Sequence, residues 1–566
     1  MSASKYQRNP GPKDVSTGNR AAASADNIVV TEAMLRVLGE GGNAVDAAIA
    51  GSLVQAVVEP FMTNHTGTVT LLYWEAATRT LHQLDSVGTL PSDLAPFRPV
   101  PPFGQSYGAY PPTACIPGFM PGMKAMFERF ATKPWSDLCA DAVRWAESGH
   151  EVSSFEYGVN LWGLDFTTYT PEGRAFYMAG GHLPVVGEIF RSEALARTMA
   201  SVRDAGPDHM ISGPWADKFV ETANRLGWAI RKAHMTATPP RWIEPVRFKL
   251  RGFEIVGLAA PQRQGLHTAF MMGILDALRL DRYEFGSAHH LYLMAQALRW
   301  VERDTNYIND PQFYGSPAKT FLDLSYHRHV AQVIESTLPL VDLTRHVKLT
   351  SPDFAFRGAV PLTAPGLPAA KPQDTQQAQP PGSCELSVVD AEGNWVQMMN
   401  TLQGGGIPGQ VVEGVPMVGA HVMFGAPGAP IDAKLHPGYR MRSIMGNTFV
   451  LRNGEPVFSL GTPGRPNCTV AQVLANYVFF GMSPPQAVDA FRILPLSEDG
   501  VIVAEDRVSA KTASDLFAMG IPLRVLHASD WHMGSFQVCW REDGKPGVNT
   551  YADPRRCGYA GGIPIT

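Results

Sequence analysis

The sequence changes character abruptly at Ser383, and this change limits how the chain can fold. Residues 361–382 contain six prolines and four glutamines, a composition that buries too little apolar surface to become ordered. The run that follows, SCELSVVDAEGNWVQMMNT, alternates around the turn sequence DAEGN and predicts a β-hairpin. The least structured segment of the chain therefore ends directly at a hydroxyl and a thiol at the start of a strand.

The overall composition indicates a large core and gives no sign of a nucleic-acid or membrane partner. The 566 residues are 45% hydrophobic and carry a formal net charge of −5, so no basic surface for nucleic acid is expected. No apolar run approaches the roughly 20 residues of a membrane-spanning helix, and the polar start contains no apolar signal segment. The six cysteines show no metal-ligand spacing. We therefore expect a cytoplasmic protein without a metal or an organic cofactor.

Hydrophobic periodicity predicts an α/β chain whose strands are antiparallel. Residues 29–38 and 41–60 have the spacing of helices. The C-terminal third is rich in strand patterns, and one of its hairpins is predicted to turn at Asn453-Gly454. Residues 1–26 are polar and are expected to be loosely attached to the rest of the chain.

Ser383 carries the most specific chemical signal in the sequence. A serine hydroxyl is a poor nucleophile until a base accepts its proton. A cut between Gly382 and Ser383 would create an α-amine with a pKa near 8, which suits that base. Gly382 tolerates the distorted backbone that such a cut needs, and the flexible segment before it lets the severed end leave. The same residues also fit an ordinary linker entering a strand, and composition alone leaves both interpretations open.

Several runs resemble the γ-glutamyltranspeptidase family. The run GGNAVDAAIAGSLVQAVVEP is similar to the family's GGNAVDAA…VVEP, and SVVDAEGNWV, GTPG and YADPR follow in the family's order. The resemblance covers nearly the whole chain. It implies an α+β fold, the four-layer αββα sandwich of the N-terminal-nucleophile hydrolases.

The same resemblance implies a precursor that cuts itself into two subunits. The large subunit would be residues 1–382, ending in the disordered linker 361–382, and the small subunit would be residues 383–566. Together they would form one αββα fold. The expected partners are therefore a small-molecule amide substrate and the two subunits of one precursor, with a further oligomer left open.

The resemblance also implies roles for individual residues. Ser383 takes the position of the family's nucleophilic Thr in TTHxSVVDxxGN, and Cys384 takes the position of the Thr after it. Thr401 takes the place of a second, supporting Thr that bonds near the nucleophile's amine. GTPGR resembles the family's oxyanion loop GSPGG, so the backbone N–H groups of Gly464 and Arg465 are expected to stabilise an oxyanion.

Departures from the family pattern are concentrated where that family grips its γ-glutamyl group. Val87 stands where the family has an Arg, and Met423 stands where an Asp holds the substrate amine. Gln403 replaces an Asn, and Ser443 remains from a pair of serines. Glu385 falls on the position of a His. A bidentate guanidinium and an amine clamp do not survive such changes, so γ-glutamyl compounds are not the expected main substrates.

Three arginines, Arg440, Arg442 and Arg465, add positive charge near the inferred pocket. One of them could bind a substrate carboxylate in a new position, or all could pair with local carboxylates, and the sequence supports the two hypotheses equally. With Gln403 and Ser443, Arg440 and Arg442 make up the predicted substrate-binding set.

The sequence thus predicts an autoprocessed amidohydrolase or acylase that forms an acyl-Ser383 intermediate from a non-γ-glutamyl amide. Water, or an amine, would take the acyl group. Two alternatives stay open at this point. The chain could be a homologue that neither processes nor catalyses and acts as a binding or structural protein, or Cys384 could be the nucleophile.

Overall fold

A computed structural model describes residues 5–6, 9–93, 115–226, 228–305, 308–338, 383–402, 409–417, 437–443 and 445–565. The strands are β1 Ser16–Ala25, β2 Thr68–Glu75, β3 Thr80–Ser86, β4 His150–Glu151, β5 Ile189–Phe190, β6 Arg241–Ile243, β7 Val246–Leu250, β8 Phe253–Gly257, β9 Ser383–Val389, β10 Trp395–Thr401, β11 Val411–Val412, β12 Val415–Pro416, β13 Thr448–Arg452, β14 Glu455–Gly461, β15 Ile502–Glu505, β16 Leu523–Leu526, β17 Gln537–Trp540, β18 Val548–Ala552 and β19 Tyr559–Pro564.

The α-helices are α1 Ile28–Gly39, α2 Ala44–Val58, α3 Phe119–Phe130, α4 Trp135–Ser148, α5 Ser154–Trp162, α6 Leu164–Thr167, α7 Pro171–Tyr177, α8 Glu193–Ala205, α9 Asp208–Ile211, α10 Pro214–Arg225, α11 His234–Ala237, α12 Gln264–Ala277, α13 Ala288–Thr305, α14 Ala318–Phe321, α15 Leu324–Ser336, α16 Pro466–Val478, α17 Pro484–Asp489 and α18 Ala510–Ala518. Short 3-10 helices lie at Leu280–Arg282 and Trp531–Met533. Within the described ranges, no helix combines the length and apolar character needed to cross a bilayer.

The main sheet follows the strand order β6-β3-β2-β10-β9-β1-β18-β17-β14-β13-β8-β7, with β19 also paired to β1. Side chains alternate between the two faces of each strand. On β10, Val396 and Met398 join the core formed with α1–α4, whereas Trp395 and Met399 join an inner core with Phe449 of β13. The rings of Trp395 and Phe449 lie 6.3 Å apart, so the two halves of the sheet face each other.

The other face of the second half is covered by a separate helical layer. Ile255, Val450 and Phe458 pack into a core with helices α12, α13 and α16. The layers are therefore helices, half-sheet, half-sheet and helices, which is the predicted αββα arrangement.

The prediction that residues 1–26 are loosely attached is wrong for Ser16–Ala25. These residues form β1, with β9 paired along Ala22–Ala25 on one side and β19 paired along Asn19–Ala25 on the other. Four of the ten residues of the strand are alanines, all in its second half, and all four are buried. Small side chains have low β-propensity and give little visible alternation, so the burial comes from the neighbouring strands and not from a local signal.

The hairpin predictions after residue 382 are confirmed. β9 and β10 pair in register from Ser383↔Thr401 to Val389↔Trp395. β13 and β14 turn at Asn453 and Gly454, which both have positive φ, as a two-residue type I′ turn requires.

The run GGNAVDAA makes the contacts that fix the start of helix α2. Asn43 caps α2 and forms a capping box with Asp46, while the buried Asp46 carboxylate also accepts bonds from the backbone N–H and hydroxyl of Thr132. The N–H of Ala44 donates to Asp390 in the turn after β9, at 2.9 Å. The run therefore fixes α2 to the β9–β10 hairpin.

We expect Asp46→Ala to lower the free energy of unfolding by about 2 kcal/mol, because it removes a cap bond and the shared acceptor of part-buried donors on Asn43, Thr132 and Lys133. Urea denaturation measures the change. Asp137→Ala is the matched control, since Asp137 is an exposed acid in the first turn of α4, and its removal should cost less than about 1 kcal/mol. Equal losses in the two variants would contradict this account of the run.

Candidate active site

Ser383 begins β9 and lies directly opposite Thr401, the last residue of β10. The Ser383 Oγ donates a hydrogen bond to Thr401 Oγ1 at 2.8 Å. Ser383 is half-buried and Thr401 is buried, so the pair lies at the edge of the core. The antiparallel register brings together the two hydroxyls that the sequence predicts as nucleophile and supporting residue.

Cys384 points to the opposite face of β9 and is fully buried. Its Sγ donates to Glu59 Oε2 at 3.4 Å. Burial, reinforced by the Glu59 carboxylate, raises the pKa of the Cys384 thiol well above its usual value. Because the thiolate is the reactive form of cysteine, this environment disfavours Cys384 as the nucleophile.

Glu385 returns to the Ser383 face and lies between the two half-sheets. Its Oε1 accepts hydrogen bonds from Gln397 Nε2 at 2.7 Å and from Asn447 Nδ2 at 3.0 Å. Burial raises the pKa of Glu385 well above its usual value. A side chain at Gly461, the end of β14, would collide with this carboxylate, so the loop after β14 lies beside β9.

That loop carries Gly464 and Arg465. Gly464 has φ +92° and approaches the backbone of Gly534 so closely that a Cβ would lie 2.8 Å from the Gly534 Cα, which restricts this position to glycine. Arg465 is exposed and precedes α16. Contacts between backbone atoms therefore fix the path of the predicted oxyanion loop. The loop leaves β14 at Gly461, the residue that contacts Glu385.

Near Ser383, side chains and not strand β1 contact the β1 side of β9. β1 ends at Ala25, opposite Leu386. Beyond that point, Asp26 Oδ2 accepts the N–H of Glu385 at 3.0 Å. Arg556 Nη1 donates to the carbonyl oxygen of Ser383, also at 3.0 Å.

Asp26, Glu59 and Arg556 form a buried group of titratable side chains beside Ser383 and Cys384. All three are almost fully buried, and Asp26 also accepts a bond from Gln537 Nε2 at 3.2 Å. Burial raises the pKa of Asp26. Burial, with the Asp26 charge nearby, raises the pKa of Glu59 to about 8.

The predicted substrate-binding arginines lie beside the segment that holds Val87. The N–H of Met441 donates to the carbonyl of Gly88 at 2.9 Å. Arg440 is 1% exposed, and its guanidinium lies 3.8 Å from Asp85 and donates to the carbonyl of Pro239. Arg440 therefore has local partners, as the second of the two hypotheses about the arginines expects.

Arg442 and Ser443 are also buried, and the Ser443 carbonyl accepts the N–H of Arg263 at 3.0 Å. The Arg442 guanidinium is close enough to Tyr439 to influence its pKa. Gln403 and Gly382 lie outside the described residues. The roles predicted for the substrate-binding set stay predictions.

The sequence reasoning assigned no role to Asp26, Glu59 or Arg556. Glu59 belongs to the run VVEP, and Arg556 comes directly after the run YADPR. Asp26 lies within the N-terminal stretch that was expected to be loosely attached. Their positions in the sequence, far from Ser383, gave no signal that they surround it. Only the order of strands brings them together.

Comparisons with known proteins give a consistent result. The family model described as gamma-glutamyltranspeptidase matches residues 30–563. The glutathione hydrolase proenzyme of Pseudomonas aeruginosa is 29% identical over 557 residues, 92% of this chain and 90% of that protein. The Acylase ACY 1 proenzyme of a Pseudomonas species, strain V22, is 25% identical over 564 residues, 94% of this chain and 94% of that protein.

Among solved structures, the crystal structure of cephalosporin acylase from Bacillus halodurans has a TM-score of 0.80 at 21% identity and covers 100% of both chains. This likeness confirms the predicted fold class. Both curated relatives are described as proenzymes.

Proposed function

Because the chain belongs to the gamma-glutamyltranspeptidase family, and is accordingly a hydrolase or acyltransferase of amide bonds, we propose that it is an amidohydrolase that cuts itself before Ser383. Ser383 is then the nucleophile toward a small non-γ-glutamyl amide. The observation that carries the proposal is the 2.8 Å bond from Ser383 Oγ to Thr401 Oγ1 at the first residue of β9. The two-subunit organisation at residue 383 and a cytoplasmic location belong to this proposal.

Processing is a transfer of the Gly382 acyl group from nitrogen to oxygen. The Ser383 Oγ attacks the carbonyl carbon of Gly382, the Gly382–Ser383 C–N bond breaks, and an ester forms while the nitrogen gains a proton. Water then opens the ester. The products are a carboxylate on Gly382 and a free α-amine on Ser383.

Substrate hydrolysis uses the same oxygen with the new amine as its base. The α-amine accepts the hydroxyl proton while Oγ attacks the amide carbon, and it returns the proton to the leaving amine. Thr401 orients the pair. The N–H groups of Gly464 and Arg465 are proposed to stabilise the oxyanion, and water then releases the acyl group.

The non-γ-glutamyl preference is supported by two residues in the segments where the family resemblance places the substrate. Val87 is apolar and 2% exposed where the family has a carboxylate-binding Arg. The nearby Arg440 already has local partners in Asp85 and the Pro239 carbonyl. Neither residue offers a free cation to an α-carboxylate, which favours an acyl group without the paired α-amine and α-carboxylate.

Intact mass spectrometry of purified protein, followed by a matched anilide panel, tests the proposed function. We expect two polypeptides, with the smaller one beginning at Ser383 and gaining one acyl group when an activated acyl ester is added. Glutaryl, phenylacetyl and simple aliphatic anilides should include one with kcat/KM at least about tenfold above the γ-glutamyl anilide, since one or two lost polar contacts have that effect.

One unbroken chain with full activity would overturn the mechanism. A clear preference for the γ-glutamyl anilide by a cut, acylated enzyme would overturn only the substrate assignment.

Thr401→Val is expected to lower kcat/KM by about 10²-fold, because it removes the partner of the Ser383 hydroxyl without changing side-chain size. Thr401→Ser restores the hydroxyl and should return kcat/KM to within about threefold of wild type. Initial rates with the best anilide measure both variants. A Thr401→Val enzyme that hydrolyses and processes like wild type would show that Thr401 does not orient Ser383.

A further inference from the structure

We propose that Asp26 and Arg556 are positioning residues that take the place of strand β1 beside the nucleophile and hold Ser383 in its catalytic orientation. The inference rests on the proposed function, since it concerns Ser383 as the first residue of a mature subunit. It adds two residues to the site for which the family resemblance gave no role.

The register of the sheet provides the first step of the argument. β1 pairs with β9 only from Ala22↔Val389 to Ala25↔Leu386. Ser383 and Glu385 are two residues apart, so their backbone groups point to the same side of β9. On that side the Glu385 N–H donates to Asp26 Oδ2 and the Ser383 carbonyl accepts from Arg556 Nη1, both at 3.0 Å. The Asp26 carboxylate and the Arg556 guanidinium thus bond to the backbone of β9 beyond the point where its pairing with β1 ends.

The second step is the consequence of cutting the chain. After the cut, Ser383 has no preceding residue, and unrestrained chain ends tend to fray. β10 holds Ser383 from one side through the Ser383↔Thr401 pair, and Arg556 holds its carbonyl from the other. A displacement of about 1 Å at a reacting group can reduce a rate by about 10²-fold, so a second restraint at this residue has a direct effect on catalysis.

The third step is that Arg556 is itself held in one place. It is 0% exposed, and its guanidinium carbon lies 5.2 Å from the ring centre of Phe155 and 5.9 Å from that of Trp531. Its Nε and Nη2 have no hydrogen-bond partner among the described residues. A buried guanidinium with so few bonds stabilises a fold poorly, which favours a role at the nucleophile over a purely structural one.

The charges around Ser383 predict an effect on the pKa of its α-amine. This effect would distinguish a positioning role of Arg556 from a purely structural one. Among the described residues, the titratable groups around this end of β9 include Arg556, Cys384 and the carboxyls of Asp26, Glu59, Glu385 and Asp553, with Cys557 near Glu59. Burial raises the pKa of Asp26, Glu59 and Glu385, so near neutral pH they carry less negative charge than exposed carboxyls. Asp553 is paired with Arg492 and Arg555. The Arg556 guanidinium therefore favours the neutral α-amine and lowers its pKa.

Four variants of the full chain test the proposal: Arg556→Met, Arg556→Lys, Asp26→Asn and the control Arg541→Met. Arg541 stacks on Trp395 at the far end of the same β9–β10 hairpin, 5.4 Å from its ring centre. For each variant we would measure the processed fraction by intact mass, kcat and KM across pH with the best anilide, and the melting temperature.

We expect Arg556→Met to lower kcat by about 10²-fold with KM within about threefold, and to move the acidic limb of the rate profile to higher pH. Arg556→Lys keeps the charge but loses the planar guanidinium, so its kcat should fall by about tenfold with the acidic limb unmoved. Asp26→Asn should lower kcat by about tenfold, because an amide accepts the Glu385 N–H less strongly than a carboxylate. Arg541→Met should match wild type in kcat and pH profile.

Slower processing of Arg556→Met also supports the proposal, since the same contact exists before the cut. If Arg556→Met does not fold, Arg556→Lys decides by its kcat and its unmoved acidic limb. Wild-type kcat and pH profile in a folded Arg556→Met would overturn the proposal while leaving the proposed function intact. The proposal would also be overturned if Arg556→Met had a lowered melting temperature but an unmoved acidic limb, and if Arg556→Lys recovered none of the lost kcat. A wild-type protein that is neither cut nor acylated at Ser383 would overturn both.

Discussion

Ser383→Ala is expected to remain one unbroken polypeptide of 566 residues and to lose amide hydrolysis by about 10⁴-fold or more. The same oxygen is required twice, first to attack the Gly382 carbonyl and then to attack the substrate. Its removal therefore blocks both the cut and the acyl-enzyme. Gel electrophoresis under denaturing conditions and anilide rates at high enzyme concentration measure the two losses separately.

Two matched variants sharpen this prediction. Ser383→Thr keeps the hydroxyl and should both process and hydrolyse, within about tenfold of wild type, since it adds only a methyl group. Cys384→Ala should also process and hydrolyse at near wild-type rates, because the Cys384 thiol faces Glu59 on the other side of the strand. Loss of processing in Cys384→Ala with retention in Ser383→Ala would move the nucleophile to Cys384.

The β9–β10 hairpin was predictable because its pattern is local. Alternation around a DAEGN turn predicts the two strands of the hairpin, and the structure has them at Ser383–Val389 and Trp395–Thr401, with the register that the pairing of Ser383 with Thr401 defines. The pairing of two hydroxyls across that hairpin follows from the same register. The chemical meaning of the pair came from the family resemblance, since a linker followed by a strand is common in unrelated proteins.

The environment of Ser383 was not predictable, because distant segments supply it. Asp26 is 357 residues before Ser383 by their numbers, and Arg556 is 173 residues after it. Asp26 follows β1, whose second half is mostly alanine and carries no clear alternation. The strand order that places β9 between β10 and β1 is a property of the whole sheet, which no local pattern encodes.

The arginines illustrate the same limit for substrate binding. Arg440 and Arg442 are close in sequence to Ser443, and the sequence left open whether they bind a substrate or pair with local carboxylates; in the structure both are buried. Arg440 lies against Asp85 at the end of β3. Closeness to a motif in the sequence indicates which residues lie near a binding site. Whether a charged side chain is available to a ligand depends on its burial and its local partners, which the sequence does not show.

Glu385→Ala is expected to lower the free energy of unfolding by about 3 kcal/mol, because it leaves the amides of Gln397 and Asn447 without their shared acceptor and opens a void between the half-sheets. Glu385→Gln retains an acceptor oxygen at nearly constant volume. At pH 5 it should lie within about 1 kcal/mol of wild type. Urea denaturation of both variants measures these effects, and the difference between them gives the combined cost of the lost acceptor and the void.

The pH dependence of Glu385→Gln provides the more demanding test. Burial holds the pKa of Glu385 in the folded protein well above its ordinary value of 4.5, so the folded state binds the proton more tightly than the unfolded state. The stabilisation from this neutral carboxyl is complete below pH 4.5 and is lost as pH rises toward the folded pKa. Wild type should therefore lose up to about 1.4 kcal/mol per pH unit relative to Glu385→Gln across that window. Glu59, whose folded pKa is about 8, contributes a slope of the same sign to both proteins and cancels in the comparison. A stability difference between wild type and Glu385→Gln that stays constant from pH 5 to pH 8 would show that the folded pKa of Glu385 is not raised.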